Sequence, residues 1–252
     1  MVAVKISIIT VVRNAASTIE DTLQSLQAQT HPDVEHIVID GASTDGTLAI
    51  LQRHQNRISE LVSEPDGGIY HAMNKGLALA TGDVIGLLNS DDIYADNTVL
   101  AQVAAAHGDA ALDACYADLV YVKPNDMADV VRHWRSQPHR PGLCFDGWMP
   151  AHPTLFLKKR VYELAGGFDT SLRYQSDLEF CARIFEIHKI SSRYIPKLWV
   201  RMRLGGVTNN SFSGLARGNW ESYQALKKLG LRRNPISYFA IKFSSRLKQY
   251  LP

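Results

Sequence analysis

Short apolar runs alternate with helix-type patterns through the first half of the chain. Four of these runs have the length and residue types of β-strands, at positions 4–12, 36–40, 58–63 and 84–88. Between them, apolar residues repeat at helical spacing: after a capping box of Ser17 and Glu20, near 47–55, and through 72–80. This alternation predicts an α/β fold in which helices cover a sheet.

Each predicted strand ends in polar or acidic residues. These ends are the segment 10–14, Asp40, the segment 64–66, and the pair Asp91 and Asp92. In open α/β sheets the ligand crevice lies outside the carboxyl ends of the strands. Four polar strand ends at one edge therefore predict a ligand site at that edge.

The adjacent carboxylates of Asp91 and Asp92 are the strongest feature of this edge. Two anions at the end of a buried strand repel each other and lose hydration, so they are costly unless a cation compensates. Mg²⁺ or Mn²⁺ carrying a polyphosphate is a natural compensator, because hard cations bind carboxylate and phosphate oxygens. The alternative is that the pair caps the helix expected at 97–107.

The second half of the chain has a less regular pattern. Strands are predicted at 113–122, 130–134, 152–157 and 195–203, and helices from Lys159 onward and at 177–186. Three widely spaced cysteines without a C-x-x-C pair are typical of reduced packing residues in a cytosolic protein. We find no signal-peptide pattern and no apolar run near the ~20 residues that span a bilayer, so we expect a cytoplasmic protein.

Charge is distributed unevenly. Residues 201–252 carry ten Lys and Arg against the single acid Glu221, whereas the first 200 residues carry 17 bases and 24 acids. The region 235–252 also has apolar residues at helical spacing: Ile236, Phe239, Phe243, Leu247 and Tyr250. A basic amphipathic helix suits an anionic membrane surface. The alternative is a helix that packs on the body or at a homodimer interface. Nucleic acid is not expected, because the body is acidic and lacks a recognition motif.

Several ordered motifs resemble those of family 2 glycosyltransferases, which have the GT-A fold. The first half carries IITVVRN, IVIDGASTDGT and SEPDGGIYHAMNKGLALATGDVIGLLNSDD. The second half continues with HPTLFLKKRVYELAGGFDTSLRYQSDLEFCAR and RLGGVT. The likeness covers about residues 4–210 and is greatest to short bacterial members that build O-antigen and other surface polysaccharides.

The resemblance implies a domain organisation and a reaction. It implies a Rossmann-like mixed sheet flanked by helices over 1–210, with a nucleotide-sugar half (1–110), an acceptor and catalytic half (111–210) and a basic helical tail (211–252). The implied reaction is an inverting, Mg²⁺- or Mn²⁺-dependent transfer from a nucleotide sugar, expected to be UDP-linked, to a saccharide or lipid-linked saccharide. Such an acceptor lies at the inner membrane surface, where the tail would dock.

Candidates for nucleotide contact follow the first three strands. They are Thr10, Arg13, Asn14, Asp40, Asp66 and, one turn into the next helix, Lys75. The family uses an acid at the Asp40 position to accept from the uracil N–H; the alternative is a turn-forming Asp that bonds the amides of 41–44. Lys75 would face a phosphate, although family members often have Arg where this chain has Met73.

The D-x-D positions of the family are occupied by Asn89, Ser90 and Asp91, with Asp92 following. An amide at 89 can bond a ribose hydroxyl but brings no charge to a metal, and Ser90 is assigned to the nucleotide. The resemblance therefore places the metal on Asp91, with Asp92 as a further ligand or as a neighbour that supports it.

Asp177 in QSDLEFCAR stands at the family's catalytic-acid position and is assigned as the general base. Its alternative is an N-cap of the helix, and both roles are compatible only if one carboxylate oxygen stays free. On the acceptor side, His152 matches a family histidine, with a structural histidine as the alternative. Trp148 would stack on an acceptor sugar, with simple burial as its alternative.

Three competing functions need different sequence features. A dinucleotide-binding dehydrogenase would need G-x-G-x-x-G after the first strand, where this chain has Arg13-Asn14-Ala15-Ala16. A nucleotidylyltransferase would need a glycine-rich basic loop near the N-terminus. A non-catalytic nucleotide-sugar-binding scaffold would bind UDP and metal without transfer, and the presence of Asp91, Asp92 and Asp177 together favours the enzyme.

Overall fold

The first half of the chain forms the predicted alternation of strands and helices. The computed structural model describes residues 4–205, 212–231 and 234–248. In chain order, this half contains β1 (Ile6–Val12), α1 (Ile19–Gln27), β2 (Val34–Asp40), α2 (Thr47–Arg53), β3 (Glu60–Ser63), α3 (Ile69–Leu79) and β4 (Val84–Leu87).

The second half adds strands to the same sheet and helices to its faces. It contains β5 (Ile93–Tyr94), α4 (Val99–His107), β6 (Ala114–Lys123), β7 (Asp126–Trp134), β8 (Phe156–Lys158), α5 (Lys159–Ala165), α6 (Ser176–Ala182), β9 (Ser192–Arg203), α7 (Phe212–Lys228) and α8 (Pro235–Lys248). Short 3₁₀ turns occupy Leu143–Asp146 and His152–Thr154, and a π-helical turn at Arg183–Ile187 continues α6.

Within the described residues, nine strands form one mixed sheet in the order β3-β2-β1-β4-β8-β6-β9-β5, with β7 paired to β6. Strands β1 to β4 are mutually parallel, and β8 joins β4 in the antiparallel sense. The carboxyl ends of the four parallel strands therefore share one edge, as the polar strand ends predict.

Strands β1 and β4 are buried along their whole length, which explains why they are continuous apolar runs. On one face, Ile9 and Ile85 pack in a cluster that includes Met73 of α3 and Phe180 of α6. On the other face, Ile8 packs in a cluster with residues of α4. Helices α3 and α6 thus share one apolar cluster on the first of these faces.

The predicted capping box of Ser17 and Glu20 is wrong. Helix α1 begins at Ile19, so Thr18 is its N-cap residue, and no side chain caps the helix. The Thr18 hydroxyl instead donates to the backbone oxygen of Ser90 at 3.0 Å. This contact joins α1 to the loop after β4. Capping rules consider only neighbouring residues and therefore cannot predict it.

The predicted strand at 152–157 begins late. His152 and Pro153 lie in a 3₁₀ turn, and the strand starts only at Phe156. Pro153 has no N–H for a strand ladder, and the Thr154 hydroxyl lies 2.9 Å from the Ala117 carbonyl and 2.7 Å from the Ala151 carbonyl. His152 is consequently a turn residue.

The tail packs on the body through a residue that the helical pattern did not single out. Tyr238 of α8 is fully buried, and its ring lies 5.7 Å from that of Tyr223 in α7. Lys242 donates to the Ser222 hydroxyl at 2.7 Å, whereas Ile236, assigned to the apolar face, is 82% exposed. The alternative of packing on the body therefore describes this part of α8.

Parts of the predicted tail, including Arg232, Arg233 and Tyr250, lie outside the described residues, as do positions 206–211. Among the helices of the described ranges, none combines the length and apolar character needed to cross a membrane.

A buried carboxylate ties together the amino ends of the central strands. Glu35 of β2 accepts from the Ser7 hydroxyl at 2.5 Å, from the Thr81 amide at 2.8 Å and from Lys5 at 3.0 Å. Burial alone would raise the pKa of Glu35, but these hydrogen bonds outweigh it and lower the pKa from 4.5 to about 2. The ionised carboxylate thus stabilises the part of the sheet that supports the crevice.

We expect Glu35→Gln to lose stability at pH 7 by about 1–3 kcal/mol, because the neutral amide gives up charged hydrogen bonds. Since the folded-state pKa is depressed, this stabilisation is present above pH 4.5 and disappears as the pH falls towards about 2. Urea unfolding of both proteins at pH 7 and pH 3 measures the difference. A difference that is equal at the two pH values would contradict the assignment.

Candidate active site

The candidate crevice is the edge of the sheet where β1, β2 and β4 end. Val12 is paired with Asp40, and Asp40 with Ser63, so three strand ends are in direct register. The Leu88 amide donates to the Ile9 carbonyl at 3.0 Å, which brings the end of β4 beside β1. Within this arrangement the sequence candidates take distinct positions.

Asp40 forms the turn after β2. Its carboxylate accepts from the Ser43 amide at 3.1 Å, from the Ser43 hydroxyl and from the Ser63 hydroxyl at 2.6 Å. The residue is fully buried. The turn-forming alternative is therefore the one that this structure shows, and Asp40 supports the crevice from beneath.

The segment after β1 carries two exposed residues, Arg13 and Asn14. Arg13 lies over Gly41, where an added Cβ would be 3.5 Å from its Cδ and 3.6 Å from an oxygen of Asp66. Asn14 has a φ of +53°, and its side-chain oxygen accepts from the Thr44 amide at 2.8 Å, so it stabilises the turn after β2.

Thr10 lies in the interior. Its side chain is fully buried, and its hydroxyl is 3.0 Å from Nε2 of the buried His36. Burial lowers the pKa of His36 to about 4, so this pair is uncharged at neutral pH. The structure therefore does not bring Thr10 into the crevice with the other candidates.

Lys75, in the second turn of α3, forms a charged pair with Asp66, which precedes the helix. The Lys75 ammonium lies 2.5 Å from Asp66 and 2.6 Å from Glu64. Asp66 is almost buried, whereas Lys75 is one-third exposed. A phosphate oxygen at this position would have to replace a carboxylate as the partner of Lys75.

The loop after β4 carries the acidic pair. Asp92 is fully buried, and one of its oxygens accepts from the Asn89 amide group at 2.9 Å. Its other oxygen is buried with no hydrogen bond from a described residue. Asp91 is partly exposed. The helix-capping alternative does not hold, because Thr98 precedes α4 and Asp96, not the acidic pair, accepts the Thr98 amide.

The charge of this pair is poorly compensated. Burial raises the pKa of Asp91, an effect that Arg203 opposes. Burial and the neighbouring Asp91 together raise the pKa of Asp92 well above its ordinary value. The two carboxylates therefore compete for solvation, and a cation at this position would relieve them both.

Side chains from distant elements hold the backbone of the acidic loop. Thr18 bonds to Ser90, and the buried Thr22 hydroxyl donates to the Asp92 carbonyl at 2.8 Å. Arg203, at the end of β9, donates to the Asp91 carbonyl at 2.9 Å and pairs with Asp21. The loop is thus clamped between α1 and β9.

These residues fit a divalent cation. The donor set is made of carboxylate oxygens, which Mg²⁺ and Mn²⁺ prefer. One Asp92 oxygen is buried without a hydrogen bond from the described residues, and the Asp91 side chain is accessible. Asp91 is therefore the better placed ligand, with Asp92 beside it.

Asp177 lies in the first turn of α6, and its two carboxylate oxygens have different surroundings. Its Oδ1 accepts from the Leu178 amide at 2.8 Å and from the Tyr70 hydroxyl at 3.4 Å. Its Oδ2 accepts no hydrogen bond from the described residues. The N-cap of α6 is Gln175, so the capping alternative for Asp177 is wrong.

His152 is buried close to Asp177. Its Nε2 has no hydrogen bond from the described part of the chain, and its ring meets Phe168 edge-on at 5.6 Å. Burial lowers the pKa of His152, although the charge of Asp177 opposes this shift. A neutral imidazole therefore lies beside the carboxylate.

Trp148 is half-buried in an aromatic cluster. Its ring centroid lies 5.8 Å from that of His139 and 6.1 Å from that of Phe185. The preceding loop is held by Glu186, which accepts the Gly142 amide at 2.9 Å and lies 3.4 Å from His139. The structure thus shows the Trp148 ring packed in this cluster, as the burial alternative describes.

Sequence reasoning missed several residues of this region. Thr22 and Tyr70 are two that the sequence patterns did not single out. Thr22 and Tyr70 stand on apolar helix patterns, so their polar groups gave no separate signal. Their partners lie 70 and 107 residues away along the chain, which only the fold brings close.

Comparison with known proteins places this geometry in a family. The model of the family described as "Glycosyl transferase family 2" matches residues 7–161. The chain is 30% identical over 241 residues to a PGL/p-HBAD biosynthesis glycosyltransferase of Mycobacterium bovis (strain BCG / Pasteur 1173P2), covering 94% of this chain and 86% of the relative.

Solved structures agree in fold. S. aureus TarS 1-349, crystallised with UDP-GlcNAc, superposes with a TM-score of 0.65 at 20% identity, over 86% of this chain and 66% of that one. The mannosyltransferase PcManGT from Pyrobaculum calidifontis, in complex with GDP-Man and Mn²⁺, gives a TM-score of 0.67 at 21% identity, over 95% of this chain and 68% of that one.

Proposed function

The chain belongs to glycosyl transferase family 2 and has the GT-A fold, and we propose that it is an inverting, metal-dependent glycosyltransferase that uses a UDP-sugar. The observation that carries this proposal is the acidic loop at the carboxyl end of β4. There a partly exposed Asp91 adjoins a buried Asp92 whose second oxygen has no hydrogen bond from the described residues.

Asp91, with Asp92 beside it, would hold Mg²⁺ or Mn²⁺. Such a cation neutralises the negative charge of a departing nucleoside diphosphate. The Mn²⁺ in the PcManGT complex supports a divalent cation in this fold. Clamping by Thr22 and Arg203 would keep the two carboxylates in place before the ligand arrives.

For the nucleotide, we propose contacts from Arg13, Asp66, Lys75, Asn89 and Ser90 at the strand ends. Asp40 and Asn14 would act by shaping the turn beneath the base, because their polar groups already bond within that turn. The UDP-GlcNAc complex of TarS supports a uridine nucleotide. Thr10 would contribute only through packing.

Asp177 is the proposed general base. Its free oxygen would take the proton of the acceptor hydroxyl, while Oδ1 stays engaged with Leu178 and Tyr70. Attack by that hydroxyl on the face of the sugar opposite the diphosphate inverts the anomeric centre. His152 and Trp148 belong to the proposed acceptor half of the chain. They would contact the acceptor only at their accessible edges.

We propose a saccharide or lipid-linked saccharide of surface polysaccharide assembly, of the O-antigen type, as the acceptor. A relative named for PGL/p-HBAD biosynthesis supports an acceptor of glycoconjugate assembly. The basic tail would bring the protein to the inner face of the cell membrane. Two apolar tail residues support this, since Trp220 is 55% and Ile236 is 82% exposed.

We expect Asp177→Asn to retain donor binding and to lose about 10²–10⁴-fold in transfer rate, because the amide cannot accept the proton. Thermal-shift screening of UDP-, dTDP- and GDP-sugars with Mn²⁺ first selects the nucleotide sugar with the largest stabilisation, here termed the panel donor. Release of nucleoside diphosphate from the panel donor then measures the rate.

Asp169→Asn is the matched control for this experiment. Asp169 pairs with Lys228 at 2.7 Å and stands outside the proposed site, so its variant should turn over like wild type. Wild-type turnover by Asp177→Asn would refute the assignment of the base. Donor binding without turnover in the unmodified protein would favour a nucleotide-sugar-binding scaffold.

Asp91→Asn should weaken UDP binding in the presence of Mn²⁺ by at least about tenfold, because one carboxylate charge is lost from the cation site. Its UDP affinity without metal should stay near that of wild type. Isothermal titration calorimetry with and without Mn²⁺ separates the two effects. Asp96→Asn, which keeps an acceptor at the start of α4, is the control. Equal Mn²⁺ dependence in Asp91→Asn and wild type would exclude Asp91 as a ligand.

The protein should sediment with vesicles that contain anionic lipid. Replacing Trp220 and Ile236 together by Ser should weaken this binding by at least about fivefold, because both apolar side chains would be lost from the docking surface. Deletion of α8 is unsuitable, because it would remove the buried Tyr238 from the core. Leu164→Ser on α5, at a residue that is 61% exposed, is the control. Equal, negligible sedimentation of all three proteins would count against membrane docking.

A further inference from the structure

Tyr70 links the two halves of the proposed site. It is the second residue of α3, four positions after Asp66, and its hydroxyl lies 3.4 Å from Oδ1 of Asp177 in α6. Helix α3 begins immediately after Gly68, whose φ of +136° permits the sharp turn out of the crevice. The same turn of chain therefore borders the strand ends and contacts the proposed base.

Packing fixes the Tyr70 ring. The residue is 8% exposed and stacks on Phe168 with ring centroids 5.8 Å apart. Phe168 is itself held by Asn74 of α3, whose side-chain oxygen accepts the Phe168 amide at 2.8 Å and whose side-chain nitrogen donates to the Phe168 carbonyl at 2.9 Å. The hydroxyl is thus carried by a ring that cannot easily turn away from Asp177.

Burial, followed by the charge of Asp177, raises the pKa of Tyr70 far above its ordinary value. The phenol therefore stays protonated at neutral pH and can only donate to the carboxylate. Among the described residues, the other titratable groups nearby make no hydrogen bond to the Asp177 carboxylate. His152 is buried and neutral, Cys181 is a buried thiol with a raised pKa, and Glu221 accepts the amides of Arg173 and Tyr174.

We propose that Tyr70 is a positioning residue, whose hydroxyl holds Oδ1 of Asp177 so that Oδ2 points to the acceptor hydroxyl. The inference rests on the proposed function of Asp177 as base. Two donors, Tyr70 and the Leu178 amide, converge on one oxygen, and the other oxygen accepts none from the described residues. Catalytic hydrogen bonds are often long before the substrate binds and shorten in the complex.

Tyr70→Phe removes the hydroxyl and keeps the ring that stacks on Phe168. We expect kcat for the panel donor to fall about tenfold, the lower end for a hydrogen bond to a charged group. The KM for the donor should stay within about twofold of wild type, because Tyr70 contacts Asp177 and not the proposed nucleotide contacts. A role in folding alone would lower the melting temperature and leave kcat of the folded enzyme unchanged.

Tyr162→Phe is the matched control. Tyr162 stacks on Phe180 at 5.3 Å in the same aromatic cluster, and its hydroxyl has no hydrogen bond within the described part of the chain. Deleting this hydroxyl should leave kcat as in wild type. Wild-type kcat in Tyr70→Phe, or an equal loss in both variants, would overturn the inference.

A double-mutant cycle with Asp177→Asn separates this inference from the function on which it rests. If Tyr70 acts through Asp177, Tyr70→Phe has no further effect on the residual rate of Asp177→Asn. A tenfold loss in both backgrounds would show that Tyr70 acts independently of Asp177 and would overturn the inference. Wild-type turnover in Asp177→Asn would refute the base itself, whereas a slow Asp177→Asn with an unaffected Tyr70→Phe would refute only the role of Tyr70.

Discussion

Two adjacent carboxylates stand at the end of β4, in a position where burial makes their charges costly. Burial raises the pKa of both Asp91 and Asp92, and the cationic Arg203 directs one of its hydrogen bonds to a loop carbonyl. Hydrogen bonds from Thr18 and Thr22 hold the loop backbone, so the carboxylates cannot relax by moving apart. Such surroundings fit the proposed cation and its anionic ligand.

Helix α3 is the second element on which this arrangement depends. Its first turn follows the Asp66 segment, carries Lys75 one turn further on, and reaches Asp177 through Tyr70. Its buried face packs against β1 and α6 in one continuous cluster. A ligand that drew Lys75 away from Glu64 and Asp66 would therefore act on the helix whose Tyr70 contacts the proposed base. The proposed donor contact and the proposed positioning of the base thus share helix α3.

The strand-end pattern was sufficient to predict that the polar strand ends meet at one edge, because parallel strands end on the same edge and Asp40 and Asp91 follow buried apolar runs. Local rules failed where a distant contact decided the outcome. The Thr18 hydroxyl bonds to Ser90, 72 residues away. Helix α8 buries Tyr238, a residue outside the predicted apolar face, while Ile236 of that face is exposed. The role of Tyr70 could not be predicted for the same reason. Its ring fits an apolar helix pattern, and only the fold shows that its hydroxyl contacts Asp177.

The most direct measurement is a crystal structure with UDP and Mn²⁺, with the metal located by its anomalous scattering. The account predicts one Mn²⁺ bonded to a carboxylate oxygen of Asp91 and to the diphosphate, with Lys75 or Arg13 near the phosphates. His139, Cys144 and Glu186 also bring ligand atoms within 4.8 Å of one another, away from the strand ends. Manganese at that cluster with none at Asp91, or UDP bound at the strand ends without metal, would contradict the account.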